Sequence, residues 1–245
     1  MTLPNSGSTD RVVIGIDDTD TPDEGGTGCL ARRLVGEIEA LGLGVSSGVT
    51  RHQFYQGPEV PKTARNSAAA IIFREPAEPE ALFEAVTTVV SRESIRGSNP
   101  GVAMLMRKPQ RPAVLFARLS QQTVVTQEQT TTLAAAVEVT LAGLGGTGDG
   151  VIGAFGAAVL RGDGRDGRFV GLRGIRDVSG EMTVADLMAA TDIAAVVNVD
   201  GWEPLEAETS LDIGDWVRPR LIGGRPVMVA RCDEGSWVNA DARRR

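Results

Sequence analysis

Three carboxylates stand close together at Asp17, Asp18 and Asp20, directly after the apolar, β-branched run RVVIGI at residues 11–16. The run reads as a buried strand, and ligands of open α/β sheets gather at the carboxyl ends of strands. Acids crowded there repel one another unless a cation or a positive ligand offsets them. Magnesium takes oxygen ligands and commonly joins one or two carboxylates to substrate phosphates. Asp17, Asp18 and Asp20 are therefore candidate metal ligands, and Asp18 and Asp20 candidate catalytic groups, one of them as a base. The alternative is a solvated acidic turn with an Asp capping the next helix.

Two glycine loops could face those acids. Gly25, Gly26, Thr27 and Gly28 precede a helical pattern, and Gly146, Thr147, Gly148, Asp149 and Gly150 precede another. Glycine lets backbone approach a ligand, and the free N–H groups of a helix's first turn favour an anion by about 0.3–1 kcal/mol. Two such loops make a phosphate cradle more plausible than either alone. Residues 148–153 also match GxGxxG, the dinucleotide fingerprint, which would make the protein an NAD(P)-binding oxidoreductase. That pattern needs a strand ahead of the glycines; a helix is predicted there, so the match is read as spurious.

A basic loop completes the candidate set. Lys62 and Arg65, with Thr63 and Asn66, could bind phosphates and neutralise charge during transfer. The alternative is a solvated basic turn. No GxxxxGK[ST] sequence and no protein-kinase signature is present. His52, the single histidine, falls in an extended segment and reads as structural. Cys29 falls at a predicted helix start and reads as a small buried residue.

The elements that must position these groups follow from periodicity. Leu30, Leu34, Ile38 and Leu41 predict a helix over 27–41, and Leu82, Phe83, Val86, Val89 and Val90 a second over 79–91. Residues 45–54, 67–73, 101–106 and 113–119 read as strands. Leu133, Val137, Leu141 and Leu144 predict a third helix over 127–144, and the small apolar run VIGAFGAAVL a buried helix. The polar, glycine-rich stretch at 161–168 marks a boundary. Beyond it lie a strand at 169–173, a short helix at 183–190 opened by Thr183 and Asp186, and several short strands. The expected fold is α/β (α+β): a mixed-sheet main domain over 10–162 and a smaller α+β domain over 168–238, with flexible termini at 1–9 and 240–245.

Composition narrows the function classes. The chain has 245 residues, a net charge of -7 and 4% aromatics, which argues against broad nucleic-acid binding through a basic or stacking surface. No apolar run approaches the roughly 20 residues that span a bilayer, and residues 1–9 lack the apolar core of a signal peptide. Cys29 and Cys232 are the two cysteines; they fit no zinc spacing. A cytoplasmic setting is expected, with no membrane partner. A homodimer contact through the apolar strands after Trp202 is left open.

Four segments in order carry a family resemblance: GIDDTDTPDEGGTG (15–28), VPKTARNSAAAI (60–71), SNPGVAM (98–104) and GGTGDGVIGAFGAA (145–158). They resemble the archaeal agmatinylcytidine synthetase family, which attaches agmatine to a cytidine in an isoleucine tRNA anticodon. The resemblance implies an ATP-binding kinase-like domain followed by a ferredoxin-like domain. It further implies magnesium on the DDTD acids, phosphate contacts from Lys62 and Arg65, and a nucleotide cradle at 146–150. No counterpart of the family's oligonucleotide-binding fold and zinc ribbon is expected in these residues. Where its first glycine loop reads Cys-Thr-Thr this chain has Gly26-Thr27-Gly28-Cys29, so the resemblance leaves Thr27, the nearby hydroxyl, as a candidate catalytic group. Two functions are therefore carried forward. One is an ATP- and magnesium-dependent phosphotransferase or ATP-activating ligase, acting on a small molecule or on RNA presented with a partner. The other is a non-catalytic nucleotide sensor or a subunit of an RNA-modifying assembly.

Overall fold

The computed structural model describes residues 11–20, 26–60, 66–76 and 78–242. The first strand, β1 (Arg11–Asp17), buries both faces: Val12, Ile14 and Ile16 enter one core and Val13 another. Both faces must therefore be covered. On the first lie α1 (Thr27–Ala40) and α2 (Pro79–Glu93), which supply Leu30, Leu34 and Ile38 and then Leu82, Val86 and Val90 at helical spacing. On the second lie α3 (Arg111–Leu119), α4 (Gln127–Ala136) and α5 (Gly150–Asp163). α5 is buried nearly throughout, as its small apolar composition predicts.

Between these layers run β2 (Val45–Gln53), β3 (Ser67–Arg74), β4 (Gly101–Leu105) and β5 (Thr140–Gly143). Their order is β5-β4-β1-β3-β2, and every neighbouring pair is antiparallel. The chain from β1 to β4 thus follows a β-α-β-β-α-β path, the split βαβ arrangement of ferredoxin-like folds. It lies ahead of the position the resemblance assigns to a ferredoxin-like unit.

The sheet continues past the glycine-rich stretch at 161–168. Gly164 caps α5 in the left-handed conformation, and β6 (Arg168–Gly171) then pairs with β2. Beyond β6 come β7 (Glu181–Thr183), α6 (Val184–Ala190), β8 (Ala195–Asn198), β9 (Ser210–Asp212), β10 (Arg220–Ile222), β11 (Arg225–Asp233) and β12 (Ser236–Asn239). These surround a third core that includes Ile175, Leu187, Leu211, Ile213 and Met228. Among the described residues twelve strands form one mixed α/β sheet, as expected of the fold class. Its parallel pairs, β11 with β8 and β12 with β9, lie in this last part. Thr183 caps α6 by accepting from the Asp186 N–H at 3.1 Å. No helix among the described residues is long and apolar enough to cross a membrane.

Two predicted elements are corrected. Residues 113–119 form a helix, α3, and not a strand. Ala113 and Ala117, four apart, pack inward, while Leu115 and Leu119 are exposed, so the apolar run is one helical face plus surface leucines. The helix predicted over 127–144 stops at Ala136. Glu138 turns the chain with φ 58°, and residues 140–143 pair with β4 as an edge strand. A strand therefore does precede the glycines of 148–153, contrary to the reason for setting the dinucleotide match aside. The match still fails, because β5 and β6 flank α5 within antiparallel pairings and form no parallel βαβ unit.

Candidate functional site

β1 delivers its acids into a cavity of about 740 Å³. Asp17, Asp18 and Asp20 line it on one side, and Gly26, Thr27 and Gly28 at the start of α1 line a second. Thr147, Asp149 and Gly150, ahead of and at the start of α5, line a third. The two glycine loops, well over 100 residues apart in sequence, therefore meet the acidic turn as one site.

Asn99 links the parts. Its Nδ2 donates to Asp18 Oδ2 at 3.0 Å, and its Oδ1 accepts from the Thr147 N–H at 2.9 Å. Its carbonyl accepts from the Gly150 N–H at 3.1 Å, so one residue holds the DDTD turn, the second glycine loop and the first turn of α5. Asn99 belongs to the SNPGVAM segment, but sequence reasoning does not single it out, since nothing local to 98–104 signals a bond to position 18. Gly146 makes the arrangement possible. Its φ is 55°, and a Cβ there would stand 2.0 Å from Asn99 Oδ1. Gly146 and Gly148 shape this loop without lining the cavity, whereas Thr147 turns back to donate to Asp149 Oδ2 at 2.8 Å.

The acids differ from one another. Asp17 lies against α5 so closely that a Cβ on Gly153 would stand 1.8 Å from Asp17 Oδ2. Burial, then the charges of Asp18 and Asp20, push its carboxyl up to about 7 against the pull of the Asp18 N–H. Asp20 is also raised, by burial and then by Asp18, although the Asp20 and Thr27 N–H groups lower it. The Asp20 carboxyl thus lies near the α1 start while lining the cavity, although the N-cap of α1 is Gly26 and no side chain caps it. Between them Thr19 is buried and donates to Thr27 Oγ1 at 3.2 Å.

Among the described residues no three His, Cys, Asp or Glu side chains form a ready-made metal cage. The donors are nonetheless all oxygen, and two of the carboxyls are raised by burial and by like charge. Such a set fits magnesium completed by phosphate and water, the usual way that ion is held.

The remaining candidates divide. Asn66 lines the cavity, but its Nδ2 donates to the Tyr55 carbonyl at 2.8 Å. Gly25, Lys62, Thr63 and Arg65 lie outside the described residues. Arg51 and Arg218 line the cavity as cations that sequence reasoning missed. No local pattern marks either; β2 and the segment before β10 bring them in. Phe54, Tyr55, Val124 and Val125 give the cavity an apolar end. His52 is absent from the lining. It is buried, with Nδ1 3.1 Å from Asp166 Oδ1 and Nε2 2.9 Å from Thr50 Oγ1, as a structural histidine would be. Burial holds it below its ordinary value, against the pull of Asp166. Cys29 is exposed, and not buried as expected, because its side chain leaves the α1 face that carries Leu30 and Leu34.

No family model matches the chain. An uncharacterized protein of Methanocaldococcus jannaschii is 30% identical over 152 residues, which is 62% of this chain and 50% of that protein. The chain thus spans about half the length of this curated relative. Among solved structures, the complex of TiaS with an isoleucine tRNA and ATP is similar over 61% of this chain and 36% of its own, at 24% identity and a TM-score of 0.54. Apo TiaS, a tRNA agmatidine synthetase, is similar over 61% of this chain and 35% of its own, at 24% identity and a TM-score of 0.51. The complex of TiaS with the same tRNA, AMPCPP and agmatine gives 60% and 36%, at 23% identity and a TM-score of 0.52. The resemblance found in the four sequence segments is thus matched by a shared fold over about three-fifths of the chain.

Proposed function

We propose that the chain is an ATP-using enzyme of the tRNA-modifying kind, which binds ATP in the 740 Å³ cavity and activates an acceptor by phosphoryl-type transfer. The observation that carries this reading is the Asn99 link, which sets the DDTD carboxylates, the second glycine loop and the start of α5 around one space. A polyphosphate needs acids that share a cation with its oxygens, and N–H donors, which the α1 start would supply. Asp17, Asp18 and Asp20 would hold magnesium, which supplies charge neutralisation on the transferring phosphoryl group. The α1 start binds and orients the phosphates, while the Thr147–Gly150 segment, whose N–H groups donate to Asn99, Gly145 and Thr147, shapes the cavity wall. Arg51 and Arg218, with Lys62 and Arg65 assigned by resemblance, balance developing negative charge. Asp20 or Asp18 serves as the base that takes the acceptor's proton. The apolar end at Phe54, Tyr55 and Val125 gives a planar base a water-poor surface. The resemblance supports RNA as the acceptor, and the similar solved structures include complexes with an isoleucine tRNA and ATP.

Calorimetry with a non-hydrolysable ATP analogue, with and without magnesium, tests the reading. Magnesium-dependent binding is expected, and its absence at millimolar analogue would sink it. The sensor reading has one observation in its favour: the Thr27 hydroxyl is buried against Thr19, which suits a structural contact better than a phosphate acceptor. Tight analogue binding without ATP turnover on any supplied RNA would select that alternative.

A further inference from the structure

A second cavity, of about 240 Å³, opens beside the first and shares Gly28 and Arg218 with it. Its described lining contains Arg32, Arg176 and Arg218, together with Cys29 and Trp216, and no Asp or Glu. In a chain of net charge -7, three guanidinium groups around one small space are not expected from composition. Trp216 organises them. Arg218 lies over its ring with Cζ 3.7 Å from the centroid, and Arg176 lies 6.0 Å from the same ring. Such stacking engages the face of a guanidinium and holds its plane, so that the N–H fork keeps a fixed direction along the edge. Arg32 approaches from α1, its stem packed over Gly171.

Neither Arg32 nor Arg176 forms an ion pair among the described residues. Arg176 donates to the Val170 carbonyl at 3.4 Å. Burial and then the Arg176 charge hold the Arg32 guanidinium below its ordinary value, against the pull of the neighbouring Cys29 thiol. The forks of Arg32 and Arg176, from α1 and from the segment after β6, match phosphate oxygens, and Arg218, from the segment before β10, adds a cation to the same lining.

We propose that this cavity binds a phosphate group carried by the second substrate, and so seats that substrate next to the nucleotide. The inference rests on the proposed function only in naming ATP as the occupant of the larger cavity. Its lining is distinct: the larger site combines cations with acids that would hold a metal, and the smaller has arginines and no acid in its described lining.

Cys29 lines the small cavity and reports its occupancy. In a Cys232→Ser background, with a saturating non-hydrolysable ATP analogue and magnesium, the rate of Cys29 alkylation by iodoacetamide is measured with uridine 5′-monophosphate, uridine or inorganic phosphate. Uridine 5′-monophosphate is expected to slow alkylation at least fivefold, and uridine not at all. Arg176→Gln, a change at an exposed side chain outside the larger cavity, is expected to abolish protection while calorimetric affinity for the ATP analogue stays unchanged. No protection, equal protection by uridine, or protection that survives Arg176→Gln overturns the proposal. Protection by inorganic phosphate as strong as by the nucleotide overturns the assignment to a substrate, since a free ion then suffices. Failure of the analogue to bind wild type is read separately. It removes the nucleotide reading, and the uridine 5′-monophosphate arm still decides the arginine cavity.

Discussion

Asp17 at the end of β1 and Asp241 beyond β12 are both acids set against the same sheet, yet their carboxyl groups are driven in opposite directions. Asp17 is pushed up to about 7 by burial and by the neighbouring acids. Burial also pushes Asp241 up, but hydrogen bonds from Arg220 and Arg168 outweigh it and leave the carboxyl below its ordinary value. Arg220 grips both oxygens at 2.9 Å, and Arg168 adds an ion pair to one of them. A residue that serves the fold has its charge met from within the chain. One whose charge goes unmet is held at a cost that folding does not require, and a ligand is the natural partner to offset it.

The comparison breaks most visibly if the acids of the DDTD turn prove unimportant. Asp18→Ala and Asp20→Ala should each lower ATP turnover at least 100-fold, on the order of 3 kcal/mol of transition-state stabilisation. Their thermal midpoints should stay within about 3 °C of wild type, because neither acid forms an ion pair among the described residues. Unchanged turnover in both variants would detach the acids from the chemistry. Asn99→Ala should weaken ATP-analogue binding about tenfold, since a charge-assisted hydrogen bond to Asp18 and the anchor of Thr147 vanish together. Unaltered affinity by calorimetry would mean that the loops hold their places without it.

Asp241→Ala should show the reverse profile. Urea unfolding is expected to lose about 2 kcal/mol, the scale of charge-assisted hydrogen bonds, while affinity for the ATP analogue is retained. A loss of binding with stability intact would invert the roles assigned to the two acids. The smallest effect concerns pH. Because Asp241 is lowered in the folded state, its contribution is fully present above its unfolded value, about 3.9, and is lost as pH falls through the folded value. Wild type should therefore lose stability more steeply than Asp241→Asn between about pH 5 and pH 2, followed by urea unfolding at each pH. Parallel curves would show that the arginine pair does not hold the ionised form preferentially.

Much of this architecture was legible in residue order. RVVIGI could only be a buried strand, and the stripes at Leu30, Leu34 and Ile38 and at Leu82, Val86 and Val90 could only be helices with one covered face. Short apolar runs were ambiguous for a physical reason: PAVLFARL suits a strand pleat or a helix face until it is known what covers it. The alanines at 113 and 117 resolve it by nesting in the second core. The stripe at Leu133, Val137, Leu141 and Leu144 continued in register past the true end of α4. A periodicity does not register a single residue, Glu138, whose positive φ redirects the chain to an edge of the sheet.

For the site, residue types and local order were sufficient to pick out the acidic turn and both glycine loops, because each is a short stretch whose chemistry is carried by its own neighbours. Tertiary structure alone decided that they share a cavity, that Asn99 ties them together across 81 positions, and that Arg32, Arg176, Trp216 and Arg218 surround a second space. Electrostatic pairing depends on distance in space, and the packing of α5 against β1 and of β6 against β2 sets those distances. Composition, periodicity and spacing along the chain hold no record of them.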